Sequence, residues 1–100
     1  MKNLIGATGI LFAAMTAVAQ AETLPVYGAW DCKIMDFTLD ANTYVVSGQK
    51  LAVKSVEKIL DDAYGVELTD GYRVSLFDVR SKSLTWHSPA SGDTFDCRRK

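Results

Sequence analysis

From residue 64 to residue 97, apolar and polar side chains alternate in short runs separated by turn chemistry. That is the pattern of half-buried antiparallel strands. Thr69-Asp70-Gly71 reads as a three-residue hairpin loop with Gly71 in the left-handed position. It pairs Leu68 with Tyr72, Val66 with Val74 and Tyr64 with Leu76, placing all six on one face. A two-residue Asp70-Gly71 turn would pair Leu68 with Arg73 and spoil that face, because a one-residue slip flips every side chain. The next connection, Arg80-Ser81-Lys82-Ser83, pairs Val79 with Leu84 and Phe77 with Trp86. This parity differs from that of Tyr72, Val74 and Leu76, so a bulge is expected at Leu76-Phe77. The last hairpin turns at Pro89-Ala90-Ser91-Gly92 and pairs Trp86 with Phe95 and Leu84 with Cys97.

Upstream, Trp30, Cys32 and Ile34 alternate with Asp31 and Lys33, while Met35, Phe37 and Leu39 alternate on the opposite parity. A bulge or bend near Ile34-Met35 reconciles the two. Asp40-Ala41-Asn42 is a turn, and Thr43 to Val46 is strand-like. Residues 49–62 support two readings. Ala52, Val53, Val56, Ile59, Leu60 and Ala63 recur at helical spacing among good helix formers, with Ser47 as a cap. Against a helix, Asp61 and Asp62 would sit at its negative end, and the segment also reads as a strand running to Ile59. The expected fold is mainly β: an antiparallel sheet of five to seven strands, barrel-like, or alternatively α+β with one helix at about 49–62.

The N-terminus changes the picture of where this domain works. Lys2 precedes an uncharged, mostly apolar stretch from Leu4 to Val18, followed by Ala19-Gln20-Ala21. This is the layout of a cleaved secretory signal over residues 1–21. Fifteen residues fall short of the roughly 20 that span a bilayer. Cleavage leaves 22–100 as a single small domain with no integral membrane span. The chain has 11 basic and 12 acidic side chains; removing Lys2 leaves 10 against 12, a net charge of −2. That balance argues against a nucleic-acid partner. Glu22 to Pro25 reads as a loose lead-in. Cys32 and Cys97 are the only cysteines, and in an exported chain they are expected to pair within the molecule, tying the first strand to the last.

Candidate chemistry is sparse. His87 is the only histidine; it faces outward, opposite Thr94 and diagonal to Asp96. A hydrolytic arrangement would recruit Ser88 or Ser91, but Ser88 points to the other face and no oxyanion hole is defined. Zinc is disfavoured with a single imidazole and both thiols bonded. Asp36, Asp40 and Asn42 lack the spacing of a calcium loop. No cofactor is expected. Arg98-Arg99-Lys100 reads as a solubilising basic tail.

The segment Ser91-Gly92-Asp93-Thr94-Phe95 resembles the Ser-Gly-x-x-Tyr motif of exported bacterial inhibitors of c-type lysozyme, small β-barrels that insert a loop into the enzyme's cleft. Phe95 replaces the tyrosine. The second motif, Trp-x-Lys-Gly, is missing, since Trp86 is followed by His87-Ser88-Pro89. The resemblance implies an inhibitor acting through the 89–93 loop, with Ser91 at its centre. The expectation from the whole chain is an exported, periplasmic or secreted, monomeric and non-enzymatic binding protein. Its partner would be a protein or another envelope component, and Trp86, His87, Ser91 and Phe95 are the candidate interaction residues. Enzyme inhibition is the alternative, and a small hydrolase the least favoured.

Overall fold

A computed structural model describes residues 23–100; the expected signal segment, 1–21, lies outside the described residues. Eight antiparallel strands close into a barrel with consecutive neighbours paired throughout. They are β1 Gly28–Asp31, β2 Asp36–Leu39, β3 Thr43–Val46, β4 Gln49–Leu60, β5 Ala63–Leu68, β6 Arg73–Phe77, β7 Ser83–His87 and β8 Thr94–Arg99. The fold is the expected barrel, with one strand more than the expected upper limit.

The extra strand comes from the parity change at Ile34-Met35. It marks a tight turn and not a bulge. Asp31 pairs with Asp36, so Cys32 to Met35 reverse the chain, with Lys33 at φ 73°. Cys32 N–H donates to the Met35 carbonyl at 2.9 Å and closes the turn. No helix forms at 49–62. Ser47 and Gly48, at φ 51° and 80°, link Val46 to Gln49 in a two-residue hairpin turn, so Ser47 is a turn residue and not a cap. Positive φ at both central positions is the type I′ geometry that matches strand twist. The helical spacing has a different origin. The β4–β5 register shifts between Val53 and Ser55 and again between Lys58 and Leu60. Each bulge adds a residue, so the half-buried apolar positions run Leu51, Val53, Val56, a spacing of two and then three. Ile59 lies over Gly65, where an added Cβ would come within 3.1 Å of its Cδ1.

The β5–β6 hairpin has the register read from its turn. Tyr64 pairs with Leu76 and Val66 with Val74, and Gly71 sits at φ 92°. The β7–β8 hairpin also agrees, pairing Leu84 with Cys97 and Trp86 with Phe95. The connection between β6 and β7 differs by one residue from the expectation. Leu76, not Phe77, pairs with Trp86, and no bulge is needed. Asp78 adopts φ 49° and lengthens the loop, leaving Phe77 on the outer face at 40% exposure.

Inward residues fill the barrel as expected at this strand number. Trp30, Phe37, Leu39, Tyr44, Val66, Leu68, Val74, Leu76 and Leu84 are all buried. Each such aliphatic or aromatic side chain contributes roughly 1.5–3 kcal/mol on burial. Trp30, Phe37 and Tyr44 form a chain of ring contacts across β1, β2 and β3. The closing seam is short: β1 and β8 share only the pairs Trp30–Arg99 and Asp31–Arg98. The Cys32–Cys97 disulfide continues that register, with the two Cα atoms 4.1 Å apart.

Candidate functional site: the open end of the barrel

The same strands are finished differently at the two ends. At one end, the segment before β1 folds back over the core. Of the expected lead-in, Glu22 lies outside the described residues and Leu24 packs against the core; directly after it Val26 is fully buried, its carbonyl accepting from the Trp30 indole at 3.1 Å. Arg99 locks this seal. Its guanidinium lies 4.3 Å from the Trp30 ring centroid and donates to the carbonyls of Tyr27 at 2.9 Å, Pro25 at 2.8 Å and Ser81 at 2.8 Å. Gly28, at φ 134°, makes room: a Cβ there would overlap the guanidinium. On the outer face, Lys100 pairs with Asp36, the first residue of β2, at 2.5 Å. Within the basic tail, Arg99 is therefore a structural clamp, while Arg98 and Lys100 stand exposed. A signal for this was present: Phe95, Cys97 and Arg99 share one parity, and the first two face inward.

The turns at 32–35, 47–48, 69–71 and 88–93 fall at the other end, which holds a depression of about 310 Å³ lined from the first and third of them by Met35 and Asp70. Met35, Val46, Leu51 and Tyr72 are half-buried on its walls, and Gln49 and Asp70 stand exposed at its rim. Tyr44 and Trp86 form part of its lining from within the core, at 1% and 6% exposure. The Trp86 indole N–H donates to the Tyr44 hydroxyl oxygen at 3.0 Å. Burial pushes the Tyr44 hydroxyl up to about 12; the Trp86 hydrogen bond acts in the opposite sense, and neighbouring Tyr72 adds to the rise. Tyr44 is therefore a neutral phenol across the ordinary pH range. Its oxygen is used as an acceptor, and its own hydrogen has no acceptor among the described residues.

The 88–93 loop beside this mouth is held by its own polar groups. Ser88 is fully buried and shares a 2.5 Å hydrogen bond with the Tyr72 hydroxyl. The Ser88 amide donates to the Asp93 carbonyl at 3.0 Å, and the Gly92 amide donates to the Ser88 carbonyl at 2.7 Å. Ser91 Oγ donates to the Asp93 carboxylate at 3.0 Å and accepts from the Asp93 amide at 3.2 Å. Ile34 projects from the neighbouring 32–35 turn at 74% exposure.

The four candidate interaction residues separate into three environments. Trp86 and Phe95 meet inside, stacked at 5.4 Å and 13°. Ser91 lies in the exposed loop. His87 is on the outer face, its Nδ1 2.9 Å from Thr94 Oγ1 and its ring 6.2 Å from Phe77. Asp96 receives a hydrogen bond from Thr85 Oγ1 at 3.2 Å rather than orienting His87. Ser88 is committed to Tyr72 on the opposite face. Among the described residues, no nucleophile–base pair is assembled around His87. The sequence reading missed Tyr44, Tyr72, Met35 and the rim residues Gln49 and Asp70; inward parity on β3, and the parity of Val74 and Leu76 continued back to Tyr72, pointed to the two tyrosines.

Comparison with known proteins adds no relative. No protein-family model matches the chain, and neither a curated protein nor a solved structure matches it. The likeness to lysozyme inhibitors thus rests on the five residues Ser91 to Phe95.

Proposed function

We propose that this is an exported, monomeric, non-enzymatic binding protein that contacts a macromolecular partner through the open end of its barrel, in the cell envelope or outside the cell. The observation that carries this reading is the asymmetry of the ends. One is sealed by its own chain, while the other keeps half-buried apolar walls, an exposed Ile34 and a loop fixed in advance of contact. A rigid loop loses little conformational freedom on binding, and a stapled scaffold holds it in place. Immobilised protein should retain a partner that Ile34→Asp and Ser91→Arg both release, while Lys82→Glu, on the β6–β7 connection at the other end, keeps it. Equal retention by all four proteins would sink the reading.

A second reading is supported by the self-braced 88–93 loop together with the Ser91 to Phe95 resemblance: insertion of that loop into the cleft of a c-type lysozyme. Stoichiometric protein should then lower lysozyme turnover, and Ser91→Arg should restore it. Unchanged turnover would leave the binding role without the inhibitory one.

A further inference from the structure

We infer that the mouth of the barrel is a binding site for a small, neutral, partly apolar molecule that carries a hydrogen-bond acceptor, an acceptor that the Tyr44 hydroxyl receives at the floor. The inference deepens the reading that the open end binds and rests on it. The volume, about 310 Å³, is at the lower limit of small-molecule sites, and mouths of β-barrels are where such sites form. It is too small for a folded segment.

The chemistry of the guest follows from what the walls leave unfinished. Tyr44 is 1% exposed and lines the depression. A hydroxyl buried to that degree normally uses its hydrogen, because a lost bond to water is not otherwise replaced. Here Trp86 takes the oxygen and no described residue takes the hydrogen. The missing group is therefore an acceptor: a carbonyl, ether or hydroxyl oxygen. Met35, Val46, Leu51 and Tyr72 require an apolar body around it. Asp70 is the one charged residue on the lining, and its carboxylate stands at the rim. An anion entering past it meets like charge, so carboxylate and phosphate guests are disfavoured.

Nuclear magnetic resonance of the oxidised protein tests this with three probes: acetophenone, ethylbenzene as its acceptor-free counterpart, and benzoate as its anionic one. Acetophenone should displace the Trp86 indole N–H signal saturably and leave that of Trp30, at the sealed end, in place. Benzoate should bind more weakly than acetophenone, and Asp70→Asn should narrow that difference. Tyr44→Phe should weaken acetophenone about ten-fold, the loss of one buried hydrogen bond, and leave ethylbenzene unchanged. Since Tyr44→Phe also deprives Trp86 of its acceptor, Leu51→Trp serves as the second variant. It fills the mouth from a half-buried position and should abolish binding of both rings while the Trp30 signal stays native.

The inference is overturned if acetophenone leaves the Trp86 signal unmoved, or if Tyr44→Phe binds acetophenone and ethylbenzene with unchanged preference. Failure here is distinguishable from failure of the macromolecular reading. Ile34→Asp should release the partner and keep acetophenone, whereas Leu51→Trp should lose acetophenone.

Discussion

The sealed and open ends of this barrel share eight strands and one core, yet they differ in how their polar groups are used. At the sealed end Val26 and Trp30 are fully buried, and Arg99 supplies donors to three carbonyls that the chain would otherwise leave facing the barrel end. At the open end comparable apolar residues stop half-buried, and a phenol hydrogen stays unpaired at the floor. The difference shows that the small size of the domain does not force incomplete packing. The same chain closes one end with five residues and one arginine. The open end forgoes the stability of burying that apolar area, and the proposed binding role would account for it.

The largest expected effect tests whether the ends are independent at all. Replacing Cys32 and Cys97 together with serine should cost about 4 kcal/mol by loop entropy, since the bridge joins residues 65 apart in sequence. Urea denaturation measures the loss. The seam has two residue pairs besides the bridge, so the Trp30 and Trp86 signals should melt together and earlier. Separate transitions would mean that each end is a cooperative unit of its own. Next in size is Arg99→Ala. It removes three charge-assisted hydrogen bonds and the contact with Trp30, and partial exposure of the arginine holds the expected loss to about 2–3 kcal/mol. The loss should fall on the sealed end, moving the Trp30 signal and leaving Trp86 in place. Gly28→Ala should mimic it by displacing the guanidinium. A Trp86 shift as large as that of Trp30 would erase the distinction between the ends.

What the sequence disclosed follows the same division. Registers fixed by local turn chemistry were legible. Asp70-Gly71 set β5 against β6, and Pro89 to Gly92 set β7 against β8, because a glycine at positive φ and an inward-facing partner agree on one register only. The disulfide was legible from the expectation of export and from strand parity together. The strand at 49–60 was ambiguous because two bulges give it a spacing that imitates a helix, and bulges depend on the partner strand. Phe77 was placed inward because the positive φ of Asp78 carries no signal in a non-glycine residue. Of the site, the loop with Ser91 could be found locally. The mouth could not, since Met35, Tyr44, Leu51 and Tyr72 come from four different strands and turns, joined only by closure of the sheet.

An intermediate effect concerns the phenol at the floor. The hydroxyl of Tyr44 is raised from 10.0 to about 12, its charged form being disfavoured by burial. An acid whose folded value lies above its unfolded one contributes stability that is whole below pH 10. That contribution is lost as pH climbs from 10 through 12, because the unfolded chain ionises first. The loss reaches about 2–3 kcal/mol once both forms have ionised. Alkaline unfolding of the natural protein should therefore be steeper between pH 10 and 12 than that of Tyr44→Phe. Parallel curves would mean that solvent already reaches the hydroxyl, and that the mouth is deeper and wetter than its exposure implies.

The smallest effect lies within the open end and asks how its loop is held. Two serines, three residues apart, brace the 88–93 segment by different means. Ser88 is fully buried and bonded to Tyr72, the residue just before β6, so Ser88→Ala strands the phenol of Tyr72 and should cost about 1–2 kcal/mol of global stability. Ser91 is exposed and its Oγ bonds only Asp93, two residues on, so Ser91→Ala should cost no more than about 0.5 kcal/mol. Its consequence should instead be local: the Asp93 amide, which donates to Ser91 Oγ, should exchange its hydrogen faster while the amides of β7 and β8 keep their protection. If the loop is a rigid contact element, that loosening should weaken partner binding although the fold is unharmed. If Ser91→Ala binds as the natural protein does, the side-chain bonds of Ser91 are incidental, and the anchor from Ser88 to Tyr72 with the backbone bonds of Ser88 and Gly92 keeps the loop in position.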